Sequence, residues 1–189
     1  MATTEPIRNK EDLCALSEYF LQRGEYRNNA LLVVGIHTTL RITDLLNLKW
    51  RDVYDEKLAT FRPHIYLREH KTDKAKMIAL NDEAVAALRL YFPMRKGEYI
   101  FTSRKGVHPI SRSQAWRIIK DAAAAIGLPG IISCHSLRKT WGYQAWTSQA
   151  VSPVVIMKIY NHSSYEVTKR YLGIEQDELD QAYRAMKLF

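Results

Sequence analysis

His135 and Arg138 lie three apart in the segment His135-Ser136-Leu137-Arg138, and on a helix that spacing puts an imidazole and a guanidinium on one face. The two could converge on one phosphodiester. His162 follows, with Tyr171 nine residues later, so one stretch of chain supplies a phosphate grip and a nucleophile. A tyrosine phenol has a reference pKa of about 10, so attack at neutral pH needs positive charge or a base nearby to favour the phenolate. The sequence is rich in basic residues and histidines without a matching carboxylate cluster, which argues for phosphoryl transfer whose transition-state charge is met by side chains rather than metal. Arginine suits that task because its planar fork binds two phosphate oxygens and stays protonated. There is neither a Gly-rich phosphate loop with lysine nor a His/Cys zinc spacing, and no cofactor or metal is expected.

These residues need a scaffold, and the chain has enough apolar material for one. With 189 residues and 47% hydrophobic composition it fills one core and is short for two, so a single domain over 1–189 is expected. The net charge is +8, and because 174–189 holds four acids and two bases, the basic surplus lies in the body of the chain. Such a surplus favours a polyanionic partner. Cys14 and Cys134 fit a reduced compartment and show no paired spacing. No apolar run approaches the ~20 residues of a membrane span, and the opening residues lack a signal-peptide core, so a cytoplasmic protein without a membrane partner is expected.

Periodicity predicts helices over 11–23 and around the apolar run 30–36, then a short one carrying Arg41, Leu45 and Leu48. Three β-prone stretches follow at 50–54, 65–68 and 76–80. The turn 70–74 between the last two puts Lys71 on or beside a hairpin tip. Asn81 opens a helix toward Tyr91, where Pro93 stops it, and Ser111 with Gln114 is a capping box for the next, which Gly127 and Pro129 end. Further helices are expected over 135–149 and 152–160, and Ser163 with Glu166 reads as a capping box for the helix bearing Tyr171, which Gly173 stops. In the tail Leu179, Ala182, Tyr183 and Met186 form an apolar stripe that should dock somewhere. The fold class is mixed α+β, mainly α-helical, with a small three-stranded antiparallel sheet.

In order and spacing these residues resemble the catalytic domain of the tyrosine recombinases, the phage-integrase type of site-specific DNA recombinase, over nearly the whole chain. The motifs are Leu40-Arg41-Ile42-Thr43-Asp44, His70-Lys71-Thr72, His135-Ser136-Leu137-Arg138, and Asn161-His162-Ser163-Ser164 running to Tyr171. The resemblance implies that Arg41 and Arg138 grip the scissile phosphate. It implies Lys71 as the general acid on the leaving 5′ oxygen, His135 as an aid to proton transfer with the nucleophile, His162 as a hydrogen-bond donor to the phosphate, and Tyr171 as the residue that forms a covalent 3′-phosphotyrosyl link. It further implies a metal- and ATP-independent reaction, a homotetramer on DNA assembled from monomers, a tail helix at about 175–189 packing in trans, and a bacterial, nucleoid-associated location, in the context of DNA integration or a mobile element. Ser136, Asn161 and Asp44 depart from the family's commoner Asp, Gly and Glu without removing a catalytic group. Fewer than a dozen residues precede the first helix, so no N-terminal core-binding domain is expected. A minimal recombinase resembling the fimbrial phase-switch invertases and a catalytic fragment of a longer integrase both stay open.

Each residue taken alone supports a duller reading. Arg41 could pair with Asp44 on a helix, Lys71 could be a solvated turn residue, His135 and Arg138 could line a helix face, His162 could be a loop histidine and Tyr171 a core tyrosine. The order and spacing of all six favour the chemical reading. Its rivals are a type IB topoisomerase-like relaxation activity and a catalytically silent DNA-binding regulator. Lys105, Arg112, Arg117, Lys120, Lys139 and Lys169 are candidate DNA contacts, with Arg112 and Arg117 first because they share a strong helix that could reach the major groove. The target sequence is not legible.

Overall fold

The computed structural model describes residues 4–106 and 108–186. Helices α1 (Lys10–Gln22) and α2 (Tyr26–Thr38) open the domain. The second is its central strut, because Ala30, Leu31, Leu32, Val34, Gly35 and Ile36 leave it no polar face, and it packs against α1, α5 (Asp82–Tyr91) and α7 (Cys134–Thr147). Thr39, in the left-handed region, ends α2, and Arg41 in extended conformation precedes the short α3 (Ile42–Leu46).

The β region differs from the expected three-stranded sheet. It consists of two two-stranded antiparallel ladders, β1 (Tyr54–Asp55) with β2 (Thr60–Phe61), and β3 (His64–Arg68) with β4 (Ala75–Ala79). The stretch expected as the first strand forms instead a one-turn helix, α4 (Trp50–Val53), because the Asp52 carboxylate accepts the Lys49 N–H at 2.8 Å and caps it. Asp55 then tightens the β1–β2 turn by accepting from the N–H groups of Lys57 and Leu58 at 3.0 and 3.2 Å. Pro63, which has no N–H for a ladder, separates the two hairpins.

Asn81 caps α5 by accepting from Ala84 N–H at 3.0 Å, and Ser111 caps α6 (Arg112–Ala125) by accepting from Gln114 N–H at 3.1 Å. Ser133 caps α7, after which come α8 (Pro153–Tyr160), α9 (Tyr165–Leu172) and α10 (Ile174–Ala185). The cap of α9 is Ser164 rather than Ser163. Asn161 ends α8 in the left-handed region, the intervening turn uses Ser163, and the Ser164 hydroxyl accepts from Val167 N–H at 3.2 Å. Gly173, with φ of 82°, stops α9 as its sequence position suggests. Among the described residues no helix is long and apolar enough to cross a membrane.

Three apolar clusters fill the interior, and the third, of Ala145, Ile156, Tyr160, Leu172 and Ile174, supports Tyr171. It depends on Gly142. A Cβ there would stand 2.6 Å from the Tyr160 hydroxyl and 2.6 Å from Leu172 Cδ2. Gly142→Ala is therefore expected to cost about 1–3 kcal/mol by overpacking, read as a lowered midpoint in urea unfolding, and a wild-type midpoint would contradict this packing. Helix α10 is held by buried Ile174 and by Asp177, whose carboxylate pairs with Arg8 at 3.2 Å, while the stripe residues Leu179, Tyr183 and Met186 are 50%, 81% and 69% exposed.

Candidate active site

The loop from α2 into α3 carries Arg41 to the mouth of the β3–β4 hairpin. Its Nη1 lies 3.0 Å from Glu69 Oε2, so the ion pair with Asp44 that the spacing allows is not the one formed. Asp44 instead accepts the His70 N–H at 2.9 Å, and Thr72 donates to Glu69 at 2.7 Å. These bonds anchor the turn in which Lys71 stands exposed at the tip. Burial alone would raise the Glu69 carboxyl, but Thr72, Arg41 and Lys76 together hold it below the usual carboxylate range. The Arg41–Glu69 contact is not aligned as a hydrogen bond, and Arg41 Nη1 remains a buried donor without a hydrogen-bond acceptor.

On α7, Arg138 is 4% exposed and its Nη1 donates to the Thr39 carbonyl, which ties the second guanidinium to the end of α2. Its plane is backed by Tyr160, whose ring centroid lies 4.9 Å from the guanidinium carbon and whose hydroxyl donates to the Arg138 carbonyl at 2.5 Å. His135, in the first turn of α7, is exposed on its outer edge. Crowding by protein on its inner side, then Lys139, Arg138 and Arg41, push its pKa down to about 4. Burial, then Arg138 and Arg41, also lower His162, whose Nδ1 lies 3.1 Å from Thr168 Oγ1. Both imidazoles are neutral at neutral pH in the DNA-free protein.

Tyr171 completes the group. Its ring centroid is 5.3 Å from that of His135, 4.9 Å from His162 and 5.3 Å from Tyr160. Its hydroxyl is buried and has no hydrogen-bond partner. Burial raises the phenol, while Arg138 and Arg41 pull it the other way. Arg41, Lys71, His135 and Arg138 line one open cleft of about 1070 Å³, together with Arg112 and Arg117 from α6. Tyr171 adjoins it through the ring contact with His135, and His162 through its contact with Tyr171.

The structure sorts the expected DNA contacts. Arg112 and Arg117 face the cleft, and Lys105 and Lys120 are exposed outside it. Lys139 is corrected: it is 4% exposed, because α7 is buried continuously from Ser136 to Thr140 and has no solvated face there. The Lys169 ammonium is paired with Glu178 of α10. Sequence reasoning missed Glu69, whose only signal is its place before the lysine turn, and Trp116, a cleft-lining indole that is 45% exposed between Arg112 and Arg117 on a polar helix face.

The depressed histidines make stability depend on acid. A folded-state pKa of about 4 for His135 against an ordinary 6.5 means that the unfolded chain binds the proton more readily, so stability is full above pH 6.5 and falls as pH drops toward 4. His162 acts in the same direction. The thermal midpoint is expected to fall across that window, and to fall less in His135→Asn; equal acid sensitivity of the two proteins would contradict the assignment.

The model of the phage integrase family matches residues 8–178. The probable integrase/recombinase YoeC of Bacillus subtilis (strain 168) is 36% identical over 185 residues, covering 97% of each chain. The crystal structure of XerA recombinase superposes with a TM-score of 0.74 at 25% identity, over 97% of this chain and 66% of that one. XerH site-specific recombinase, bound to a palindromic difH substrate in a post-cleavage complex, shares the fold with a TM-score of 0.71 at 18% identity, over 96% of this chain and 53% of XerH. The chain belongs to the phage integrase family, the tyrosine recombinases, and has the fold of their catalytic domain. It spans nearly the whole of YoeC but about half the length of XerH. The reaction class that goes with membership is cleavage and rejoining of DNA.

Proposed function

We propose that the protein is a site-specific DNA recombinase in which Tyr171 attacks a phosphodiester and holds the cut strand as a 3′-phosphotyrosine. The observation that carries this reading is the buried Tyr171 hydroxyl, which has no hydrogen-bond partner and stands among the rings of His135 and His162 beside the charges of Arg138 and Arg41. Buried polar groups in native proteins almost always have partners, so a phenol hydroxyl without one at the edge of a basic cleft fits a ligand that engages it there. Arg41 and Arg138 would take the non-bridging oxygens and stabilise the charge that builds as phosphorus becomes five-coordinate. His162 would donate to the same phosphate. The phenol proton would pass to neutral His135, and Lys71, exposed at the hairpin tip, would protonate the departing 5′ oxygen. A 5′ hydroxyl from a partner duplex then reverses the step, so the bond energy is kept in the phosphotyrosine.

Exchange between two duplexes requires four such sites, so the active assembly is a homotetramer on double-stranded DNA, in the cytoplasm and on the nucleoid. Arg112 and Arg117 lie where they would meet DNA at the cleft. The exposed stripe of α10 is the surface for contact between copies. Deleting residues after Gly173 is expected to abolish synapsis in a gel assay, and synapsis at the wild-type level would end that part of the reading. The reading as a whole is tested by incubating the protein with a nicked duplex that loses its 5′ end on cleavage. An SDS-stable protein–DNA adduct is expected, including in EDTA because side-chain cations supply the charge; plasmid relaxation without exchange would instead favour a topoisomerase-like activity.

A further inference from the structure

Lys139 lies one turn beyond His135 on α7, and its ammonium sits 5.2 Å from the centroid of the Tyr171 ring. Lysine is rarely buried without a partner, since an uncompensated ammonium away from water is costly. Here its hydrogen bond goes to a neutral acceptor, the Thr4 carbonyl at 2.7 Å, and among the described residues it forms no ion pair. The Glu5 carboxylate next to it is bonded to Arg8 at 2.8 Å instead. The segment that holds Lys139 is itself well fixed: Ile7 N–H donates to Thr140 Oγ1 at 2.9 Å, and the Gln144 amide donates to the carbonyls of Ile7 and Arg8 at 3.2 and 2.6 Å. A buried, unpaired cation is thus clamped onto one aromatic ring out of reach of DNA, which a merely solubilising or phosphate-binding lysine does not need.

We propose that Lys139 is a positioning residue for strand cleavage, acting through Tyr171: its clamped ammonium lies against the ring of the nucleophile and favours the electron-rich phenolate as the hydroxyl proton leaves. The inference rests on Tyr171 being the nucleophile. The charged and titratable groups facing His135 are Lys139 and Arg138 from its own helix, Arg41 from the start of α3 and Tyr171 from α9. Removing Lys139 takes the cation away from the ring of the nucleophile.

The test is the pH dependence of covalent adduct formation on a nicked duplex by the wild-type protein, Lys139→Met and Lys139→Arg. A cation held over a ring contributes roughly 1 kcal/mol, about fivefold in rate, so Lys139→Met is expected to slow adduct formation about fivefold at neutral pH and to recover as pH rises. Lys139→Arg keeps the charge and is expected to keep the wild-type profile. A loss in Lys139→Met that is the same at every pH, or no loss, overturns the inference, whereas absence of any adduct in the wild type rejects the nucleophile itself. If Lys139→Met does not fold, the wild type carries a second measurement. The His135 ring resonance followed by NMR is expected to show an alkaline inflection as Lys139 loses its proton, and a resonance without one overturns the proposal.

Discussion

Replacing Tyr171 with phenylalanine is expected to abolish covalent adduct formation while leaving the fold and DNA binding in place. The structure gives an unusually clean separation of the two effects. The Tyr171 hydroxyl meets no partner in good hydrogen-bond geometry, with the Arg138 guanidinium as its polar neighbour, so its removal costs little and relieves the burial of a poorly paired polar group. Thermal stability is therefore expected to be unchanged or slightly raised. The ring contacts with His135, His162, Tyr160 and Lys139 remain available to phenylalanine. Against that neutral structural background, loss of a nucleophile that works as part of a unit costs on the order of 10⁶ in turnover. Neighbouring tyrosines are poor substitutes. Tyr160 is buried, its hydroxyl is committed to the Arg138 carbonyl and burial pushes its phenol well up, while Tyr165 lies against Trp146, 4.9 Å between ring centroids.

Arg138→Ala is expected to combine a catalytic loss of about 10²- to 10³-fold in adduct formation with a measurable loss of stability. The catalytic part follows from removing one of the two cleft guanidiniums proposed to face the phosphate. The structural part follows because Arg138 is buried, bonds to the Thr39 carbonyl and stacks over Tyr160; stranding that carbonyl costs about 1–3 kcal/mol. Arg138→Lys separates the two, since it restores the charge without the planar fork that serves the carbonyl and a phosphate together. Partial recovery of stability with little recovery of cleavage is the expected pattern, checked by urea unfolding and adduct yield on the same samples. Full recovery of cleavage in Arg138→Lys would show that charge alone suffices.

Local signals in the sequence were enough to place most of the elements around this site. Asn81, Ser111 and Gly173 mark helix ends by backbone chemistry that needs no distant partner, and the capped ends lie where those residues stand. The misread elements turn on competition between adjacent groups. Asp52 reaching back to Lys49 converts a β-prone stretch into a helical turn, and Ser164 wins the cap from Ser163 because Asn161 closes the preceding helix. The six candidate residues come from order and type alone, and the fold gathers them around one cleft and its adjoining ring cluster. Their supports were not. Glu69 meets Arg41 across a strand-rich excursion, and Lys139 is buried because residues 4–8 lie over α7, a contact between opposite ends of the chain that no local pattern records.

The most direct test of this account is the chemistry of the trapped adduct. Wild-type protein is reacted with a nicked suicide duplex, the SDS-stable complex is digested with protease and nuclease, and the modified peptide is sequenced by mass spectrometry. The expected product is a nucleotide joined through its 3′ phosphate to Tyr171, with a free 5′ hydroxyl on the released strand. A 5′-phosphate linkage, or a nucleotide carried by any residue other than Tyr171, would contradict the assignment of nucleophile and leaving group on which the proposed mechanism stands.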